Sequence, residues 1–123
     1  SNSSYGLNII SKYRKFPNLI LIDGLYKKPK LDVIRRNCSA YIHTHTLCGS
    51  APSLIEMIVC RVPIFSIDVV QNRYTLSTEG SYFKDFDDLH SMIASETIPK
   101  IPSQEFAMNY NWKSVVTRYE MLI

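Results

Sequence analysis

With 123 residues, the chain has the length of one domain able to bury a single sizeable core. Its 46% hydrophobic and 20% charged content lies close to the soluble globular average and excludes fibrous and disordered classes. Fourteen Lys and Arg against eleven Asp and Glu leave a net charge of +3, too mild and too dispersed for a nucleic-acid groove, so no nucleic-acid partner is expected.

No run approaches the roughly 20 apolar residues of a membrane span, and no signal-peptide pattern occurs. Cys38, Cys48 and Cys60 make an odd number without a framework spacing, which points to a reducing compartment; a cytoplasmic protein is the expectation. Lys27, Lys28, Lys30, Arg35 and Arg36 form the one local cluster of charge. It reads either as a solvated loop and helix face or as a patch drawn to an anionic membrane, which would place the protein at the inner membrane face.

Residues 1–4 read as a frayed terminus. Over 5–16, Leu7, Ile10, Tyr13 and Phe16 recur every three residues with Lys12, Arg14 and Lys15 between them, the pattern of an amphipathic helix that Pro17 ends. Residues 18–23, NLILID, form a continuous apolar run between Pro17 and Gly24, which predicts a strand covered on both faces of a parallel sheet. A polar loop over 24–30 leads to a short helix over 31–37 that turns Leu31, Val33 and Ile34 inward. Residues 38–44 predict the next strand, 53–60 a helix and 64–67 another strand. The βαβαβ run has right-handed crossovers and a ligand crevice at its strand C-termini.

Beyond Asp68, residues 69–78 read as a loop with one helical turn and 81–84 as a brief edge strand. Residues 87–95 predict a helix with Leu89, Met92 and Ile93 inward, and 98–102 a Pro-containing separator. The periodicity of Trp112, Val115, Val116, Tyr119 and Leu122 predicts a closing amphipathic helix over 111–123.

The chemistry points to the loop from His45 to Pro52, where a strand C-terminus meets a helix start and unpaired N–H groups favour an anion. Ser53-Leu54-Ile55-Glu56 fits a capping box, which alone would explain both polar residues. In the functional reading, N–H groups near Ser53 and Leu54 bind a diphosphate while Glu56 accepts from two ribose hydroxyls. His43 and His45 share one strand face and Cys48 follows, but a fourth ligand is lacking, so no metal is expected there. A histidine at the strand mouth touching the ligand is the better reading. Asp85-Phe86-Asp87 has the form of a metal-binding D-x-D triplet, although its place before a helix favours capping. Asn72 and Arg73 make a turn after Asp68 or reach towards the site.

The run GSAPSLIEMIVCRVPIFSIDVVQNR resembles the signature of the C-terminal domain of family 4 retaining glycosyltransferases, which have two Rossmann-like domains, the GT-B architecture. The carrying residues are Pro52-Ser53-Leu54-Ile55-Glu56, Arg61-Val62-Pro63 and the segment from Asp68 to Arg73, and the flanking strands and helices are similar over almost the whole chain. The resemblance implies an α/β fold: a Rossmann-like three-layer α/β/α parallel sheet, the C-terminal half of a GT-B fold. It also implies a domain over 1–123 that lacks the family's first strand and helix and does not turn over alone. The implied donor site comprises Thr44, His45, Cys48, Gly49, Ser50, Pro52, Ser53, Leu54 and Glu56. Its ligand would be a nucleoside-diphosphate sugar, with no metal and no further cofactor. The acceptor, a glycan or lipid-linked sugar of surface polysaccharide synthesis, would come from a separate N-terminal domain. Cys48 stands where the family has the first glutamate of its pair, as in a Gly-rich subgroup related to rhamnosyltransferases, and Arg61 stands where a glycine is usual. The loss of that acid favours the alternative, a non-catalytic Rossmann-like module that binds a nucleotide or a protein. A flavodoxin-like or response-regulator domain would need an acidic cluster at the strand ends, which is lacking.

Overall fold

The computed structural model describes residues 3–22, 24–47, 49, 51–111, 113, 117, 120 and 121. The chain forms two compact units, Ser1–Ile34 and Arg35–Ile123. The expected helix over 111–123, with Trp112, Val115, Val116, Tyr119 and Leu122, lies outside the described residues.

The larger unit is built on three parallel strands, β1 (Tyr41–His43), β2 (Ile64–Ile67) and β3 (Ser81–Phe83), in that spatial order. Tyr41 pairs with Ile64 and His43 with Ser66, while Ser66 pairs with Tyr82 and Ile67 with Phe83. Side chains alternate across a strand, so this register puts Tyr41, His43, Ile64, Ser66 and Tyr82 on one face. Ile42, Phe65, Ile67 and Phe83 take the other.

On the first face lie helices α3 (Pro52–Cys60) and α4 (Val70–Leu76), the two crossovers, together with the short α6 (Gln104–Met108). Leu54, Met57 and Ile58 of α3, Leu76 of α4 and Ala107 of α6 pack with Ile64 in one buried cluster. Two successive right-handed crossovers that step the same way across a sheet must share a face, as these do. On the second face α5 (Phe86–Ala94) sets Leu89 against Phe65 and Phe83. The result is a three-layer α/β/α domain with a parallel sheet, Rossmann-like in architecture. Leu54, Ile58, Ile64, Leu76 and Phe83 are fully buried, each worth about 1.5–3 kcal/mol in apolar area removed from water.

Local chemistry sets the element ends. Asp85 caps α5 by accepting from the Asp88 N–H at 2.8 Å, and the Asp88 carboxylate accepts from the Lys84 N–H at 2.9 Å, so the first aspartate of the D-x-D triplet serves a helix start and Asp87 lies in its first turn. Arg61 ends α3 in the left-handed region at φ 54, the place usually given to glycine. Its Nε donates to the Pro102 carbonyl at 3.3 Å.

Two expectations for this unit need correcting and a third needs completing. Residues 69–78 hold a seven-residue helix, α4, because Asn72 and Thr75 are buried by hydrogen bonds that apolar periodicity does not register. Residues 98–102 do separate elements, α5 from α6, but they are bound into the unit: the Ile64 N–H donates to the Lys100 carbonyl at 3.0 Å and Pro102 is fully buried. The segment after them forms α6, which the sequence reading missed. Ile93, expected inward, is exposed, whereas Leu89 is buried and Met92 packs against it.

The smaller unit opens with α1 (Ser4–Tyr13), capped by Ser3, whose side chain accepts from the Gly6 N–H at 3.1 Å. The helix stops short of Phe16. Helix α2 (Lys28–Asn37), in which the boundary between the units falls, begins three residues before Leu31 and leaves Val33 and Ile34 exposed rather than inward. The expected strand over 18–23 is absent from its described residues: Leu19, Ile20, Leu21 and Ile22 are irregular and 40–81% exposed. A strand covered on both faces needs neighbours to accept and donate along its edges. No described residue pairs with this run, so the parallel β–α–β–α–β unit is β1–α3–β2–α4–β3, without it.

Candidate functional site

Because all three strands run parallel, their C-termini lie at one edge of the sheet, where α/β folds hold ligands. At that edge β1 ends in His43, and the loop 44–51 carries the exposed residues Thr44, His45 and Gly49 to the start of α3. Cys48 and Ser50, expected in the donor site, lie outside the described residues.

The start of the loop is held by a residue of α4, the second crossover helix. Asn72, almost fully buried, donates from Nδ2 to the His45 carbonyl at 3.0 Å and to the Ile67 carbonyl at 3.2 Å. One carboxamide thereby joins the chain leaving β1 to the end of β2. A buried amide with both protons placed is worth more as geometry than as net energy, since hydrogen bonds contribute only about 1 kcal/mol each.

His43, fully buried, faces the same layer. Its Nδ1 lies 3.1 Å from the Tyr41 hydroxyl, and its ring centroid is 5.1 Å from that of His45. Among the described residues its Nε2 is the buried side-chain polar atom that finds no hydrogen-bond partner. The Asn72 side chain pulls towards the charged imidazole, which can only donate. Burial first, and the neighbouring His45 second, hold the imidazole below its ordinary pKa against that opposing pull. His43 is therefore a neutral group at neutral pH, consistent with its position inside the layer.

At the start of α3 the N-cap is Ala51, with no side-chain cap bond, and Pro52 takes the first turn. Pro52 has no N–H and its fixed φ suits that place. The capping box expected at Ser53 and Glu56 is not formed, because the N-cap is Ala51, two residues earlier than that register demands. The amides of Leu54 and Ile55 both bond back to the Ala51 carbonyl, at 2.9 and 3.1 Å. Leu54 is fully buried in the core, so what the first turn does not itself consume is the Ser53 amide. At Gly49 an added Cβ would meet nothing within 4 Å, so the loop there is open.

Glu56, the residue expected on a ribose, is ion-paired with Arg35 of α2, whose side chain is only 16% exposed. Arg35 is thus no member of a solvated basic face, contrary to one reading of that cluster. The pairing spans 21 positions, beyond the reach of any local spacing rule. On the far side of the edge Asp68 accepts two bonds from Arg73, one of them at 2.7 Å from Nη2. That hydrogen bonding first, and the guanidinium charge with it, hold the Asp68 carboxyl below its usual pKa. The Arg73 guanidinium also lies 4.4 Å over the Tyr82 ring, a cation–π contact. Neither arrangement leaves Arg73 aimed along the loop.

The site thus brings together His43, His45, Asn72 and the α3 start. Glu56 is held by an ion pair, and Asp68 and Arg73 face one another. Compared with protein-family models, with curated proteins and with solved structures, the chain has no match.

Proposed function

We propose that this chain is a Rossmann-like module that binds a nucleoside phosphate at the C-terminal edge of its sheet and performs no chemistry of its own. The observation that supports this is the Asn72 carboxamide, which fixes the chain at His45, where it leaves β1 towards a helix start that has no side-chain cap. An anion there would meet the Ser53 amide and the positive end of the helix dipole of α3. The exposed His45 stands beside it to contact the rest of the ligand.

A finer reading, the donor half of a retaining glycosyltransferase, draws its support from Pro52, Ser53 and Glu56 falling on the first turns of a helix that follows a sheet strand. In that reading the ligand is a nucleoside-diphosphate sugar, and a second domain brings a glycan or lipid-linked acceptor. Glu56 would then accept the ribose hydroxyls while remaining beside Arg35. In the module reading Glu56 and Arg35 form a structural tie and nothing more.

Calorimetry with UDP, GDP and dTDP and their sugars separates the two. Gly49→Trp, placed where the loop has room, should abolish nucleotide binding in either case. Glu56→Gln should leave the module's affinity within about twofold. A loss of tenfold or more, about 1.4 kcal/mol, supports the transferase reading instead. Failure of every nucleotide to bind would overturn both.

A further inference from the structure

Apart from the nucleotide site, the smaller unit presents a surface of a different kind. Residues 1–34 hold Lys12, Arg14, Lys15, Lys27, Lys28 and Lys30 against Asp23 and Asp32, a net of +4, whereas the rest of the chain nets −1. The chain's mild overall charge therefore conceals a strongly basic end.

That charge sits among exposed apolar side chains. Helix α1 buries none of its residues fully, and Leu7, Leu19, Ile20, Ile22 and Tyr26 are all exposed. Ile10, Leu19, Leu21 and Ile22 line a cleft of about 290 Å³ whose charged member is Arg14. Lys12 and Lys15 reach over the Tyr13 and Phe16 rings, with Nζ at 5.1 and 5.6 Å from the centroids. Those two rings lie 6.2 Å apart. The geometry points to a docking surface for an anionic phospholipid membrane: aliphatic side chains enter the boundary below the headgroups, and the lysines and Arg14 remain at headgroup level.

Charge complementarity chooses this occupant. Apolar side chains interspersed with Lys and Arg on an amphipathic helix are what an interfacial segment requires, each cation near an anionic surface adding roughly a fivefold gain in partition. A single-stranded nucleic acid could stack on the Tyr13 and Phe16 rings, but it would leave the exposed aliphatic side chains of Leu19, Ile20 and Ile22 without the apolar partner that a membrane supplies. No described helix is long and apolar enough to cross the bilayer, so the contact is peripheral wherever the described residues make it.

The test is co-sedimentation of the full chain with vesicles of phosphatidylcholine alone and of phosphatidylcholine with phosphatidylserine in equal parts. Binding to the anionic vesicles should exceed binding to the neutral ones by roughly 25-fold or more and should fall as salt is raised. Lys12→Gln with Lys15→Gln should weaken it roughly 25-fold. Ile20→Asp with Ile22→Asp should abolish it while the far-UV circular dichroism stays unchanged, since both side chains are exposed. Equal binding to both vesicles, or none, overturns the proposal. So does self-association that the Ile20 and Ile22 changes abolish in the absence of vesicle binding, which would make the occupant a second copy. Displacement from the anionic vesicles by equimolar single-stranded RNA overturns it as well.

Discussion

Two short apolar runs, Leu19-Ile20-Leu21-Ile22 and Ile64-Phe65-Ser66-Ile67, are near equals as sequence and opposites as structure. The second is the central strand of the sheet, with β1 on one edge and β3 on the other and three of its four residues buried. The first is irregular and exposed. Ser66, if anything, makes the buried run the more polar of the two. What separates them is partners: strand β2 has its backbone groups matched on both edges and helices over both faces, and the earlier run has neither among the described residues. An apolar run states that burial would be favourable; only a neighbour makes it a strand.

The most direct way to break this comparison is to truncate each run. Ile64→Ala should destabilise the main unfolding transition by about 2–5 kcal/mol, whereas Ile20→Ala should stay within about 0.5 kcal/mol in the same urea titration. Comparable losses would show that the earlier run is as well packed as β2.

Acid sharpens it next. His43, paired in register with Ser66 of β2, has a folded-state pKa below its unfolded value of about 6.5, so the unfolded chain binds the proton more readily. Its contribution is fully present above about pH 6.5 and is lost as pH falls below that value, with a slope of at most about 1.4 kcal/mol per pH unit. His43→Gln should flatten the curve below about pH 6.5, and hydrogen exchange over 19–22 should be indifferent to it. A wild-type curve flat through that range would remove His43 from the account.

The smallest effect concerns how the chain turns into β2. Arg61 holds a left-handed conformation that L side chains resist, so Arg61→Gly should raise stability by about 1 kcal/mol, less whatever the bond to Pro102 contributes. No gain would show that the Arg61–Pro102 tie offsets the strain.

Much of the core was legible. Pro52 followed by an apolar helix, then an apolar strand, read correctly as α3 and β2, because Leu54, Met57, Ile58 and Ile64 are buried by side-chain hydrophobicity alone. Helix α4 was hidden because Val70-Gln71-Asn72-Arg73-Tyr74-Thr75-Leu76 places polar side chains inward, and their burial depends on carbonyls that only the fold supplies. The same holds at the site. The position of the loop and of Ser53 could be read from the strand, proline and helix order. The Asn72 tie, the Arg35 partner of Glu56 and the unmatched Nε2 of His43 could not, since each depends on residues brought together from separate elements.

The Asn72 tie also says something about portability. The loop it holds lies 27 positions upstream, so a segment copied from 41 to 60 into another scaffold would bring strand, loop and helix but leave the fastening behind. Whatever this edge of the sheet recognises, the smallest transferable recognition element must extend through α4, and its shape is completed only once that helix has docked.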